Sequence, residues 1–187
     1  MLNRLWTALA VVAVGLSLSW AGAQEKLKSG PQVGTEVPGP FHPLNVTGEA
    51  AGKKKCLYCA AGGNPVAVVF ARELTPEVKS LIKQIDQATA KNAGKDMCSF
   101  AVFCSDNEKL ADQLKDFATQ EKVDKMVLAI DNPAGPTKYS ISQDAAVTVF
   151  FYEALTVKAN HAFRSGELND AAVRRIVADV KTIIPAQ

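Results

Sequence analysis

Beyond residue 23 the chain contains no tryptophan: Trp6 and Trp20 are the only two, and both fall in its first stretch. Histidine occurs twice, as His42 and His161, and neither has Ser, Cys and Asp neighbours at a spacing that suggests a catalytic triad. An excess of one charge is also missing. Twenty-one Lys and Arg against nineteen Asp and Glu leave a net charge of +2, without a basic face. Nucleic-acid binders concentrate positive charge on one surface, so nucleic acid is not expected as a partner. No glycine-rich loop opens a helix; Gly62-Gly63-Asn64 stands before a strand, which does not make a phosphate cradle. Internal repeats and low-complexity segments are absent as well.

The first stretch is of a recognisable kind. Arg4 precedes an apolar run from Leu5 to about Trp20, and Ala21-Gly22-Ala23 supplies small residues for a signal peptidase. A retained membrane anchor is the alternative, but the run is short against the roughly 20 apolar residues of a spanning helix. No cysteine follows to accept a lipid. We expect residues 1–23 to be a signal peptide cleaved after Ala23, a periplasmic or secreted product, and no membrane contact thereafter. An exported chain sits where disulfides persist. Its remaining length suits one domain burying roughly 70% of its unfolded surface, so disulfides are not required for folding.

Residues 24–40 are polar and rich in turn formers, and read as a flexible leading segment; the domain proper is expected over 41–187. Phe41 to Lys55 reads as a small N-terminal hairpin turning at Val46-Thr47-Gly48. Val66 to Ala71 is a continuous apolar, β-branched run, the pattern of a strand covered on both faces. Thr75-Pro76 then opens a helix, as N-cap and first helical residue, with Val78, Leu81, Ile82 and Ile85 on one stripe. Cys98 to Cys104 is a second strand. Ser105-Asp106-Asn107-Glu108 has the form of a capping box for a helix carrying Leu110, Leu114 and Phe117. Met126 to Ile130 is a third strand. Val147 to Tyr152 and Leu155 to Phe163 form a closing hairpin, and Asn169 or Asp170 opens a last helix bearing Val173, Ile176, Val177, Val180 and Ile184. Helices joining parallel strands cross right-handed, and the hairpin makes the sheet mixed. The fold class is therefore α/β, a central mixed sheet flanked by helices.

Several short segments resemble the thioredoxin-like superfamily, in particular exported thioredoxins and the alkyl-hydroperoxide-reductase and thiol-specific-antioxidant group. They are Val33-Gly34-Thr35-Glu36-Val37-Pro38 with Phe41, then Val46-Thr47-Gly48, the Val66–Phe70 strand, and Asp131 followed by Lys138-Tyr139-Ser140-Ile141. The resemblance implies a thioredoxin-like fold over most of residues 33–184. Two departures stand against carrying its active sites across. Where a peroxiredoxin or thioredoxin places its cysteine, after the first long strand, this chain has Ala71-Arg72-Glu73-Leu74-Thr75-Pro76. The cis-proline ahead of the fourth strand has no counterpart, since no proline lies between Pro136 and Pro185. Peroxiredoxin-type peroxidase activity is not expected.

The cysteines carry what chemistry remains. Cys56-Leu57-Tyr58-Cys59 has the spacing of dithiol redox motifs and of half a zinc site. Lys53, Lys54 and Lys55 precede it, and positive charge stabilises a thiolate. The expected function is thiol–disulfide exchange with a protein disulfide or thiol, Cys56 attacking and Cys59 resolving, without cofactor. The competing reading is a non-catalytic binding module, in which the pair is a loop staple or, with Cys98 and perhaps His42, a metal site. The motif is expected in a loop, without a helix N-terminus to activate it. Cys98 and Cys104 lie on one strand face about 20 Å apart, too far to bond or share an ion, and read as small buried hydrophobes.

Overall fold

A computed structural model of the protein describes residues 26–184; the proposed signal stretch, its cleavage point and Pro185 lie outside them. Six strands form one sheet: β1 (Leu44–Asn45), β2 (Val66–Ala71), β3 (Cys98–Cys104), β4 (Met126–Asp131), β5 (Val147–Glu153) and β6 (Thr156–Phe163). Their spatial order is β1-β4-β3-β2-β5-β6. β2, β3 and β4 are parallel, and β1, β5 and β6 pair antiparallel to their neighbours. The sheet is mixed, as the two crossovers and the closing hairpin predict.

Helices α2 (Pro76–Lys91), α3 (Leu110–Glu121) and α4 (Asp170–Ala178) cover one face. Leu81, Ile82, Ile85, Leu114, Val173 and Ile176 are fully buried against Ala67, Val69, Ala101, Phe103, Leu128 and Phe151. Both βαβ crossovers advance along the sheet in one direction, so right-handedness sends α2 and α3 to the same side. The other face has a thinner cover: helix α1 (Leu57–Ala61), Val37, Phe41 and Tyr139. There the segments that carried the family resemblance meet. The Phe41 and Tyr139 rings stack edge-on with centroids 4.9 Å apart, and the Tyr139 hydroxyl donates to the Gly39 carbonyl at 2.7 Å. Their role is to close the core.

Local chemistry explains most boundaries. Thr75 Oγ1 accepts the Val78 N–H at 3.3 Å with Pro76 in the first turn, and Asn169 Oδ1 accepts the Ala172 N–H at 3.0 Å. The capping box at Ser105 does not form. Ser105 Oγ accepts from Asn107 N, Asn107 Oδ1 accepts from Lys109 N, and the helix starts only at Leu110. The Ser105 N–H is given to the Asp131 carbonyl at 3.1 Å, which holds this residue against β4 and out of the helix.

The small hairpin expected within residues 41–55 forms. Leu44 bridges Lys54, Asn45 N–H donates to Lys53 O at 3.0 Å and Gly52 N–H to Asn45 O at 2.8 Å, while Leu44 and Asn45 pair on their other edge with β4. One expectation about the N-terminal part needs revision. The leading segment, expected to be flexible, is tied down over residues 29–37. Gly34 N–H donates to Val157 O, Val157 N–H to Thr35 O, and Val37 N–H to Leu155 O. Ser29 is buried with its hydroxyl 2.6 Å from that of Thr148. The segment thus covers one end of the β6 edge, which would otherwise present unpaired backbone groups.

Candidate functional site

The dithiol motif folds as the start of a helix. Cys56 is the N-cap of α1, with extended backbone, and its Sγ accepts the Cys59 N–H at 3.0 Å. A cysteine rarely takes this place, but the sulfur does here what a Ser or Asp oxygen does for an orphan amide. Leu57 and Ala61 bury the helix's inner side, and Gly62 ends it with a positive φ of 57° that a residue with a Cβ adopts only under strain. Against expectation, then, the motif lies on a short helix. Five residues are too few for a periodic pattern, and only Gly62-Gly63 marked the end.

Cys56 and Cys59 form a disulfide, with Cα atoms 5.3 Å apart. Their surroundings are unequal: Cys56 is 6% exposed, whereas Cys59 lies on the solvent side of α1. Cys59 is therefore the sulfur accessible from solvent, whereas Cys56, expected from the neighbouring lysines to be the attacking residue, is the buried one. Lys53, Lys54 and Lys55 are exposed on the approach.

The other cysteines sit at opposite ends of β3. The Cys98 N–H donates to the Pro65 carbonyl at 2.9 Å, which puts it at the same sheet end as α1. It is half-buried rather than fully buried, and desolvation pushes its thiol pKa up. Cys104 is 3% exposed, and burial raises its thiol to about 11 although the Arg72 charge works the other way. Among the described residues no three His, Cys, Asp or Glu side chains converge to hold a metal, and His42 is exposed. His161 forms a pair that was not legible in sequence: its Nε2 lies 2.7 Å from Asp179 Oδ2, joining β6 to the turn after α4.

At the carboxyl end of β2, where the resembled families keep their cysteine, stands Arg72. Its guanidinium donates to three carbonyls: Nε to Ala145 at 2.9 Å, Nη1 to Pro133 at 2.8 Å and Nη2 to Ser142 at 3.0 Å. Both ends of the connection between β4 and β5 are clamped there by one side chain. The neighbouring cavity, about 300 Å³, is lined by Arg72, Glu73, Glu77, Asp144 and Arg164 among others, and by no thiol.

No protein-family model and no curated protein sequence matches the chain. Solved structures do. A candidate protein disulfide isomerase from Bacteroides thetaiotaomicron superposes with a TM-score of 0.62 at 14% identity, over 84% of this chain and 94% of the other. A candidate thiol:disulfide interchange protein, DsbE, from Chlorobium tepidum gives 0.55 at 22% identity, over 80% and 98%. Peroxidoxin BcpB from Mycobacterium tuberculosis gives 0.55 at 16% identity, over 84% and 98%. The fold is thioredoxin-like. On that fold the C-x-x-C pair occupies the sheet end opposite Arg72, ahead of β2 instead of after it.

Proposed function

We propose that this thioredoxin-like protein exchanges disulfides with thiols of a protein partner, Cys59 being the sulfur that meets the partner and Cys56 the one that leaves. The observation that carries this reading is the asymmetry of the pair, an exposed Cys59 bonded to a buried Cys56 that already accepts an amide hydrogen bond. A partner thiolate attacks Cys59 Sγ, the Cys56–Cys59 bond breaks, and Cys56 departs as a thiolate. The Cys59 amide and the adjacent lysines favour negative charge on that sulfur, and a well-stabilised leaving thiolate speeds exchange. A second partner thiolate then attacks the partner's own sulfur in the mixed disulfide and releases Cys59. Two electrons pass from the partner's dithiol, which becomes a disulfide, to the protein, which becomes a dithiol. A disulfide of another partner reverses the sequence and restores the oxidised form. The signal-like first stretch supports an exported, oxidising setting for this work.

Burial of Cys56 also suits a second reading, a structural staple in a binding module. Single variants separate the two. Cys56→Ser leaves Cys59 free to capture a partner and should accumulate mixed disulfides with a thiol-reactive glutathione disulfide or a protein substrate, seen by mass spectrometry. Cys59→Ser should accumulate far fewer at position 56, because Cys56 is buried; peptide mapping separates this from capture at the half-buried Cys98. Equal and negligible capture by both would leave the staple.

A further inference from the structure

Helix α1 has a second side. Leu57, Ala60 and Ala61 wall a groove at the sheet end where β3 begins, and Met97, Phe100 and Val127 supply much of the remainder. Its volume is about 220 Å³. That is below the roughly 300–1,000 Å³ of sites that enclose whole small molecules, and it suits one aliphatic or aromatic side chain. Lys125 is the only charged residue in its lining. Lys53, Lys54 and Lys55 are exposed immediately before Cys56, and none of these four lysines belongs to an ion pair among the described residues. Three lysines thus precede the disulfide in the chain, and a fourth lines the apolar recess beside α1.

We propose that the groove seats an apolar side chain of an extended acidic polypeptide whose cysteine exchanges at Cys59. The occupant rests on the exchange reading above. The charge favours an acidic chain over a second copy of this protein, since a two-fold contact through this patch would set like-charged lysines against one another. Helical geometry adds a spacing rule. Cys59 lies roughly 200° around α1 from Leu57, and so on the side away from the groove. A chain crossing a helix about 10 Å thick, at about 3.3 Å per extended residue, needs roughly three residues between its cysteine and its anchoring side chain. The substrate class is therefore an unfolded or loop segment with acidic residues and a large apolar residue near that distance from cysteine.

The test uses the full oxidised protein and a fluorescent acidic peptide with serine in place of cysteine and leucine three residues away. Binding is followed by anisotropy, and alkylation of Cys98, which lines the groove, reports occupancy without any exchange. The leucine peptide should bind at least tenfold tighter than its Leu→Gly counterpart and slow Cys98 alkylation, and Ala60→Glu should remove both effects. Lys125→Glu should weaken binding, more at low salt than at high salt, and it keeps the test alive if Ala60→Glu fails to fold. Equal binding of the two peptides, or no protection of Cys98, overturns the proposal. So does a dimer in light scattering that Ala60→Glu or Lys125→Glu dissolves, because the groove would then seat a second copy. Exchange between the wild-type protein and glutathione is measured separately. Its absence, with peptide binding intact, overturns the exchange reading and leaves the groove a binding site.

Discussion

Arg72 Nε donates to the Ala145 carbonyl at 2.9 Å across 73 positions of sequence, with the other two guanidinium nitrogens holding Pro133 and Ser142. The three carbonyls belong to the long connection between β4 and β5, which lacks regular structure apart from a short turn of helix at Thr137–Tyr139. Local turns such as Gly135 N–H to Asn132 O and Ala145 N–H to Ser142 O shape short pieces of that connection, and the fork of donors from the end of β2 ties those pieces to the sheet.

Arg72→Ala should therefore lower stability by about 2–3 kcal/mol, the scale of losing hydrogen bonds to a charged group that water partly replaces. For a chain of this size that is a fall in Tm of roughly 5–10 °C. Arg72→Lys should recover only part of it, because an ammonium cannot present the same planar fork. Exchange with glutathione should stay unchanged in both variants, since the dithiol lies at the other sheet end. A large loss of exchange at unchanged Tm would mean that Arg72 serves the chemistry.

Asp86 ties α2 to the start of β4. Its Oδ1 accepts the N–H groups of Lys125 and Met126 at 2.7 and 2.8 Å, and the carboxylate is 7% exposed. Asp86→Ala strands both amides, and each unmade bond to a charged group costs about 1.5–3 kcal/mol. A loss of about 3 kcal/mol in urea denaturation is expected, with Asp86→Asn losing about half because an acceptor oxygen remains. Equal stability of the Ala variant and the parent would show that water satisfies these amides.

The long elements were legible because their burial is written in contiguous residues. Val66–Ala71 and Cys98–Cys104 have the bounds that their apolar runs predict, and the Thr75 cap marked α2. What escaped depends on distant partners. Residues 29–37 look like a loop until β6 offers them an edge, and Arg72 looks like a surface charge until the β4–β5 connection brings it carbonyls. Ser105 matched a capping box, but the Asp131 carbonyl takes its amide, and a tertiary bond outcompeted the local motif. The site was half legible. Spacing picked out Cys56 and Cys59, whereas burial decides which sulfur a partner can reach, and burial is a property of the folded chain.

Cys104 should be inert and titrate late. With its thiol at about 11, only about one part in a thousand is thiolate at pH 8, so native-state alkylation should spare it and peroxide turnover should be absent. Its folded value lies above that of an unfolded thiol. The stability this confers is fully present below the ordinary thiol range and is lost as pH rises toward 11. Burial shifts Tyr139 and Tyr152 in the same direction, and adds to the same loss at higher pH. The urea midpoint should fall from pH 9 to 11, and Cys104→Ala should flatten that slope in part. Rapid Cys104 alkylation at pH 8, in protein shown to be folded, would refute the assignment.

Removing the disulfide should matter less to stability than removing one leucine. Cys56 and Cys59 are three positions apart, so their bond closes a very small loop and restrains the unfolded chain by no more than about 2 kcal/mol. Serine at position 56 keeps an acceptor for the Cys59 amide, so the cap survives in Cys56→Ser/Cys59→Ser. Leu57, by contrast, is 6% exposed and packs α1 onto the Val66, Val68 and Phe100 side of the sheet. Leu57→Ala should cost about 2–4 kcal/mol in lost burial and residual cavity. The double serine variant should thus melt near the parent and above Leu57→Ala, while losing all exchange with glutathione. The opposite order of melting temperatures would mean that the bond holds α1 in place, and that stability is what the cysteine pair supplies.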